Sequence, residues 1–329
     1  MNKISLLIPC FNKQEFYPKL FKCLKNQIDK NFDVIFLNDK STDNTQFMLE
    51  KFQEENHKLF NIEIISLDQN GGLANARNIL IEQCKTDYFY FLDPDDQIYN
   101  YTIEEFNKAI KENNYQIIYA KNILVLNNIR VFNFLRKIDF SSNKTKEDPV
   151  IFLEKESYFI WNKAINKRWF LEQNLPFKKG YIFEDFAVTI NLFYRATKTK
   201  YINKNTYKYD LNFKGLSKKQ SPNRIMGIAH NLDYLYSELK LSQNYHEWEK
   251  IEKFFFKNIF IHLFFSSNWN VIKKNKKLFE KPMCELFKTF KRHNIDEKLK
   301  RYQSFFSLLF KNAITNYQKA KQLFSKCNI

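Results

Sequence analysis

The stretch from Tyr88 to Asp96, YFYFLDPDD, constrains the fold more than any other part of the chain. Its first five residues are apolar or aromatic without polar alternation, which is typical of a central parallel strand covered on both faces. The proline at position 94 ends the strand because it cannot donate a ladder hydrogen bond. Three carboxylates stand at this end of the strand: Asp93, Asp95 and Asp96.

Carboxylates as close as these repel one another unless a cation lies among them. Mg²⁺ or Mn²⁺ is the expected occupant, because both ions prefer oxygen ligands and both commonly accompany a phosphate group. A solvated acidic turn that caps the next helix is the alternative. The buried strand in front of the cluster favours the metal site.

Strands and helices alternate with short connections over the first 100 residues, which predicts a doubly wound α/β sheet. The predicted strands are 3–8, 32–37, 62–67 and 88–92, and the predicted helices are 16–27, 46–54 and 74–83. Ligands of such sheets bind at the carboxyl ends of the strands. Asp39, Asn70 and Gly71 fall at those ends together with the carboxylate cluster.

The sequence motifs of several common enzyme classes are absent from this chain. There is no G-x-G-x-x-G after the first strand, no Walker A sequence and no G-x-S-x-G elbow, so dinucleotide, P-loop and serine-hydrolase sites are unsupported. The five cysteines are scattered without C-x-x-C spacing. This argues against a disulfide framework or a zinc site and favours a reducing cytoplasm. No signal peptide or membrane span is predicted.

Positive charge is concentrated in the last quarter of the chain. The net charge is +17, and residues 245–329 contain 18 lysine and arginine residues against seven acidic ones. Apolar residues from 309 to 324 recur at helical spacing between lysines, a pattern typical of a helix that lies in a membrane interface. A helix that docks on its own domain, or a dimer contact, is the alternative. A nucleic-acid partner is not expected, since the acidic cluster would repel phosphate in the absence of a metal ion.

Six short segments together resemble the family 2 glycosyltransferases, the inverting group with the GT-A fold. They match in the family's order over roughly residues 3–217, and two positions, Asn38 and Lys40, depart from its usual pattern. The segments are IPCFNK at 8–13, FLNDKSTDNT at 36–45, GGLANARN at 71–78, FLDPDD at 91–96, WNK at 161–163 and FEDF at 183–186.

The resemblance implies a Rossmann-like GT-A catalytic domain over residues 1–220. Residues 221–329 lie outside the resemblance, and their own composition predicts a basic, Phe-rich helical region. The resemblance also implies a nucleotide-sugar donor, UDP-glucose or UDP-galactose, with Asp39 accepting a hydrogen bond from the base. Asp96, supported by Asp95, would hold Mg²⁺ or Mn²⁺. Arg77 would stabilise a phosphate or lock the acidic cluster, unless it only pairs with Asp93. The predicted donor-binding residues are Pro9, Phe11, Asp39, Asn70, Gly71, Arg77, Asp93 and Asp95.

Inversion requires one carboxylate that removes a proton from the acceptor hydroxyl. By resemblance this general base is Asp185, with Glu184 as its neighbour. Acceptor-contacting or lid roles are predicted for a further set, although its aromatic residues also suit a core and its basic ones a solvated loop. This set is Tyr158, Trp161, Lys163, Tyr209, Lys218 and Arg224.

The expected acceptor is a lipid, since the chain is similar to the processive glycolipid synthases of wall-less bacteria. A capsule or lipooligosaccharide transferase, with a soluble or polyprenyl-linked glycan acceptor, would share all of these motifs. The expected location is cytoplasmic, peripheral on the inner face of the cell membrane and bound to its anionic surface.

Overall fold

The computed structural model describes residues 3–126, 129–130, 159–210, 221–239, 266–302 and 308–327. The chain forms two compact units. Unit 1 comprises Met1–Gly180 and Leu192–Phe213, and unit 2 comprises Tyr181–Asn191 and Lys214–Ile329. The domain boundary expected between residues 220 and 221 remains a prediction.

The seven elements predicted for the first 100 residues are confirmed, with ends displaced by at most two residues. They form because short, mainly apolar runs favour strands and the intervening segments have helical apolar spacing. The elements are β1 (Ile4–Cys10), α1 (Tyr17–Lys25), β2 (Asp33–Asn38), α2 (Thr45–Asn56), β3 (Asn61–Ser66), α3 (Gly72–Gln83) and β4 (Tyr88–Phe91).

Further strands of the sheet, with helices between them, come later in the chain. These are β5 (Gln97–Ile98), α4 (Thr102–Glu112), β6 (Ile117–Leu126), β7 (Ile129–Arg130), β8 (Lys163–Asn166), α5 (Lys167–Glu172), α6 (Glu184–Arg195) and β9 (Thr199–Asp210). The strand order is β3-β2-β1-β4-β8-β6-β9-β5, with β7 paired to β6. The first four strands in this order are parallel, and β8 joins them antiparallel to β4. The sheet is therefore mixed.

The parallel pairing brings the ends of β1, β2 and β4 to one edge of the sheet. Cys10 lies opposite Asn38, and Leu7 lies opposite Phe91. The side chains of β1 and β4 are buried, as their predominantly apolar sequences predict. The loops that follow these strands therefore start from a rigid base.

Unit 2 contains the C-terminal helices. They are α7 (Pro222–Leu239), α8 (Ser266–Lys274), α9 (Lys276–Arg292), α10 (Ile295–Tyr302) and α11 (Leu308–Leu323), followed by a 3₁₀ turn at Ser325–Cys327. Every helix in the described ranges is too short or too polar to span a bilayer.

Two expectations for this unit are wrong. In the part of α11 whose burial the structure describes, Ala313, Ile314, Tyr317 and Ala320 are buried. Tyr317 packs against the rings of Phe287 and Phe290, so these side chains are not free to enter a membrane. The alternative, a helix that docks on its own domain, is what the structure contains. The cysteines also include one disulfide, between Cys284 and Cys327. Their separation of 43 residues carries no motif, because only the packing of α9 and the final turn brings them together.

Candidate active site

The loops after β1, β2 and β4 place acidic and basic side chains along one edge of the sheet of unit 1. Asp39 follows β2, and its buried carboxylate accepts hydrogen bonds from the backbone N–H groups of Gly71 (2.7 Å) and Gly72 (2.8 Å). Gly72 has φ +78°, a conformation that favours glycine. Asn70 is exposed and donates to the Asp39 carbonyl at 3.0 Å. Asp39 and the Asn70–Gly72 turn thus hold each other in place.

Arg77 extends from α3 to the acidic cluster. Its guanidinium lies 3.4 Å from the Asp93 carboxylate and over the rings of Phe91 (5.5 Å) and Phe177 (5.8 Å). The residue is only 2% exposed, so little of its surface is left for a phosphate. The structure therefore favours the structural role, in which Arg77 fixes Asp93.

Lys13 is a site residue that sequence reasoning did not single out. Its ammonium lies 2.7 Å from the Asp95 carboxylate, and both side chains are partly exposed. Lys13 lies in the loop after β1, and β1 pairs with β4, which precedes Asp95. The rule that strand-end loops of neighbouring parallel strands meet at one edge is the signal that finds it.

Asp96 is held by β9. Its carboxylate accepts from the Tyr207 hydroxyl at 2.6 Å and from the Asp210 backbone N–H at 2.9 Å, and it is 3% exposed. Burial raises the pKa of Asp96 well above its ordinary value, and the charges of Asp95 and Asp93 raise it further. The two hydrogen bonds act in the opposite direction because they favour the charged form.

The Trp161-Asn162-Lys163 segment is buried beside this carboxylate. Trp161 is 3% exposed and stacks on Tyr207, with ring centroids 4.5 Å apart. Lys163 is also buried and donates to the carbonyls of Phe159 (2.7 Å) and Trp161 (3.2 Å). Trp161 and Lys163 thus pack in the protein interior. Their environment is that of core residues rather than of residues that contact an acceptor.

The other predicted residues of unit 1 differ in accessibility. Pro9 is buried within β1, whereas Phe11 is 43% exposed in the loop that follows. Tyr209 is half-buried and stacks on Trp161 at 5.4 Å. Tyr158 and Lys218 lie outside the described residues.

The second acidic motif belongs to unit 2. Glu184 and Asp185 are buried in the first turn of α6, where the helix dipole favours negative charge. Phe183 precedes them with φ +66°, and the guanidinium of Arg224, also buried, lies 5.6 Å from its ring centroid. Arg224 therefore borders the loop that carries the pair.

Helix α7 holds this loop by close backbone contact. Asn231 donates to the Ile182 carbonyl at 3.0 Å, and Tyr181 stacks on His230 at 4.0 Å. A Cβ atom at Gly227 would lie 2.5 Å from the Ile182 carbonyl oxygen. The approach is therefore possible only with glycine at position 227.

Gly227→Ala is expected to lower the free energy of unfolding by about 1–3 kcal/mol, and therefore the melting temperature, because the new methyl group would collide with the backbone of Ile182. In a helix without this contact the same change stabilises by about 1 kcal/mol. Thermal unfolding measures the sign, and Ser237→Ala, at an exposed position of the same helix, is the control. A higher melting temperature for Gly227→Ala would contradict the close contact.

The acidic cluster supplies the hard oxygen ligands that Mg²⁺ and Mn²⁺ prefer. Among the described residues, no three or more His, Cys, Asp or Glu side chains form a metal-binding group. Asp95 and Asp96 are each bonded to protein donors, but a carboxylate has about four lone-pair sites, so both keep acceptor capacity. The residues fit an ion whose remaining ligands come from a diphosphate and water.

Comparisons with known proteins agree with this arrangement. Residues 5–174 match the family described as Glycosyl transferase family 2. Processive diacylglycerol beta-glycosyltransferase from Mycoplasma pneumoniae is 30% identical over 73% of this chain and 73% of its own length. The protein of the same name from Mycoplasma genitalium is 26% identical over 90% of each chain.

A solved structure shares the fold. TarS 1–349 of Staphylococcus aureus, in complex with UDP-GlcNAc, superposes with a TM-score of 0.67 at 18% identity, covering 98% of this chain and 92% of that one. The mixed sheet flanked by helices is thus a GT-A fold. The family match spans more than half of the chain and includes the strand-end loops that carry Asp39 and Asp96. The chain therefore belongs to the family 2 glycosyltransferases.

Proposed function

We propose that the protein transfers a hexose from UDP-glucose or UDP-galactose to a hydroxyl of a lipid acceptor, with inversion at the sugar carbon. The observation that carries this proposal is the joint position of Asp39, the Lys13–Asp95 pair and Asp96 at the carboxyl ends of neighbouring strands. Relatives named diacylglycerol glycosyltransferases, similar over most of their length, support the lipid acceptor. A glycan acceptor of the capsule or lipooligosaccharide type is the alternative.

The donor half of the reaction uses residues of unit 1. Asp39 accepts a hydrogen bond from an N–H of uracil with the lone pairs that Gly71 and Gly72 leave available. Lys13 forms a partly exposed ion pair with Asp95, and such pairs are worth only about 0–1 kcal/mol. A diphosphate can therefore draw the ammonium away from Asp95 at little cost. Asp96, supported by Asp95, holds the cation.

Mg²⁺ or Mn²⁺, when bound, supplies Lewis acidity that stabilises the negative charge of the leaving UDP. The protein contributes the rest of the chemistry through Asp185. This carboxylate removes the proton of the acceptor hydroxyl as the hydroxyl attacks, and Glu184 helps to position the acceptor. We assign these two roles from the family resemblance of the E-D motif.

The test is UDP release from a panel of UDP-sugars, with and without Mn²⁺, in the presence of diacylglycerol vesicles or of a polyprenyl-linked glycan. We expect metal-dependent release with UDP-glucose or UDP-galactose and diacylglycerol. Release with the glycan alone would support the alternative acceptor. No release from any UDP-sugar would overturn the proposal.

A membrane surface is the natural place for such a reaction, and we propose that the protein binds the inner face of the cell membrane through the junction of α8 and α9. Four exposed lysines lie there beside two exposed apolar side chains, of which Leu278 is 61% exposed. We call this surface the basic corner. It comprises Val271, Lys273, Lys274, Lys276, Lys277 and Leu278.

Replacing the four lysines of the basic corner with alanine is expected to weaken binding to anionic vesicles by roughly 4 kcal/mol, at about 1 kcal/mol per lysine. Co-sedimentation with phosphatidylcholine vesicles, with and without phosphatidylglycerol, measures this loss. The matched control removes four exposed lysines of unit 1: Lys51, Lys58, Lys85 and Lys111. An equal loss in the control would show that binding depends on total charge rather than on this surface.

A further inference from the structure

We propose that Tyr207 is the positioning residue for Asp96, and that the Trp161-Asn162-Lys163 segment serves to hold Tyr207 in place. The inference rests on the proposed function, because it takes Asp96 as the carboxylate that holds the cation and the diphosphate. It concerns residues that are buried in the protein.

The orientation of Asp96 is set from one strand. Both of its carboxylate oxygens accept hydrogen bonds from β9: one from the Tyr207 hydroxyl at 2.6 Å and the other from the Asp210 N–H at 2.9 Å. Two donors on two oxygens fix the plane of a carboxylate, so the lone pairs left for a cation point in a defined direction. The neighbouring Asp93 and Asp95 are instead paired with Arg77 and Lys13. Asp96 thus depends on β9 for its geometry.

Tyr207 is itself immobilised by stacking. It is fully buried, and its ring lies on Trp161 with centroids 4.5 Å apart and planes 11° apart. Phe159 and Tyr209 extend the stack on Trp161 at 5.3 Å and 5.4 Å. A phenylalanine at position 207 would fill the same space. The hydroxyl is therefore the part of the residue that acts on Asp96.

Asn162 anchors the segment from which Trp161 projects. It has φ +59° and is buried, and its side chain bonds to three strands. Its oxygen accepts from the hydroxyls of Tyr90 (3.1 Å) and Thr206 (2.7 Å), and its nitrogen donates to the Ala120 carbonyl (2.7 Å). Lys163 closes the loop by donating to the Phe159 and Trp161 carbonyls. The support for Asp96 therefore runs from Asn162 and Lys163 through Trp161 to Tyr207.

The test compares Tyr207→Phe with Tyr88→Phe in the full chain. Tyr88 is also buried, and its hydroxyl donates to the Tyr115 carbonyl at 2.6 Å, but it lies at the start of β4, away from the strand ends of the site. Each variant keeps a buried ring and loses a short hydrogen bond from its hydroxyl, so both melting temperatures are expected to fall. Calorimetry then measures the Kd of UDP with Mn²⁺ and with EDTA.

Tyr207→Phe is expected to weaken Mn²⁺-dependent UDP binding about tenfold to 100-fold, the range for a hydrogen bond to a charged group. Binding in EDTA should change less than twofold, and Tyr88→Phe should bind like the wild type under both conditions. Wild-type affinity of Tyr207→Phe for UDP with Mn²⁺ would overturn the inference. Asp96→Asn distinguishes this failure from a failure of the proposed function. If Asp96→Asn also binds UDP with Mn²⁺ as the wild type does, both proposals are overturned. If Asp96→Asn loses this binding while Tyr207→Phe keeps it, only the role of Tyr207 is overturned.

Discussion

Asp185→Asn is expected to reduce turnover about 10²–10⁴-fold while the Kd for UDP stays within about twofold. Asparagine has nearly the same shape as aspartate but cannot remove a proton from the acceptor hydroxyl. Because Asp185 is buried in the first turn of α6, the loss of its charge also removes a favourable interaction with the helix dipole, worth about 0.3–1 kcal/mol. Initial rates with saturating donor, calorimetry with UDP and thermal unfolding together measure these effects.

Glu184→Gln is the control for Asp185→Asn, since it removes the adjacent buried carboxylate from the same helix turn. We expect it to alter the KM for the acceptor more than kcat. If Asp185→Asn lowered donor affinity and turnover by the same factor, Asp185 would be a donor-binding residue. If Glu184→Gln caused the larger fall in kcat, the two roles would be exchanged.

Asp96→Asn is expected to abolish metal-dependent UDP binding and, in metal-free buffer, to raise the melting temperature. The folded-state pKa of Asp96 is raised well above its ordinary value by burial, so the ionised carboxylate opposes folding. Asparagine can accept from the Asp210 N–H and donate to the Tyr207 hydroxyl oxygen, so both hydrogen bonds of the native carboxylate have a counterpart. The variant would thus gain stability and lose function.

The pH dependence of this stability difference has a definite sign. A carboxyl group with a raised pKa contributes stability below its unfolded pKa of about 3.9, and this contribution is lost as pH rises towards the folded pKa. The advantage of Asp96→Asn over the wild type should therefore grow as pH rises above about 4. Thermal unfolding in EDTA at several pH values measures this trend. A constant or shrinking advantage for Asp96→Asn would contradict the argument.

The first four strands and three helices could be predicted because the information is local. Unbroken apolar runs as short as Tyr88–Phe91, ended by a proline, favour a buried strand over a helix, and the residues at the strand ends then fall at one edge of the sheet. The positions of Asp39 and Asp96 followed from this rule alone. Lys13 follows from it too, but a single lysine in a loop carries no motif of its own.

The remaining features depend on partners that are distant in the sequence. The apolar stripe of α11 predicts an amphipathic helix correctly, but a stripe does not reveal whether lipid or protein covers it. The pairing of Cys284 with Cys327 and the bond from Tyr207 to Asp96 likewise arise from packing between separate elements. Trp161 and Lys163 were recognisable as a motif, whereas their structural role became evident only from their burial.

Each unit comprises two separate stretches of the chain, and this limits how the protein can be truncated or recombined. Tyr181–Asn191, which carries Glu184 and Asp185, belongs to unit 2, although unit 1 resumes at Leu192. A chain truncated after residue 213 would keep this segment but lose Gly227 and Asn231, which hold its loop. Chimaeras that exchange unit 2 between relatives should therefore transfer residues 181–191 together with the C-terminal helices.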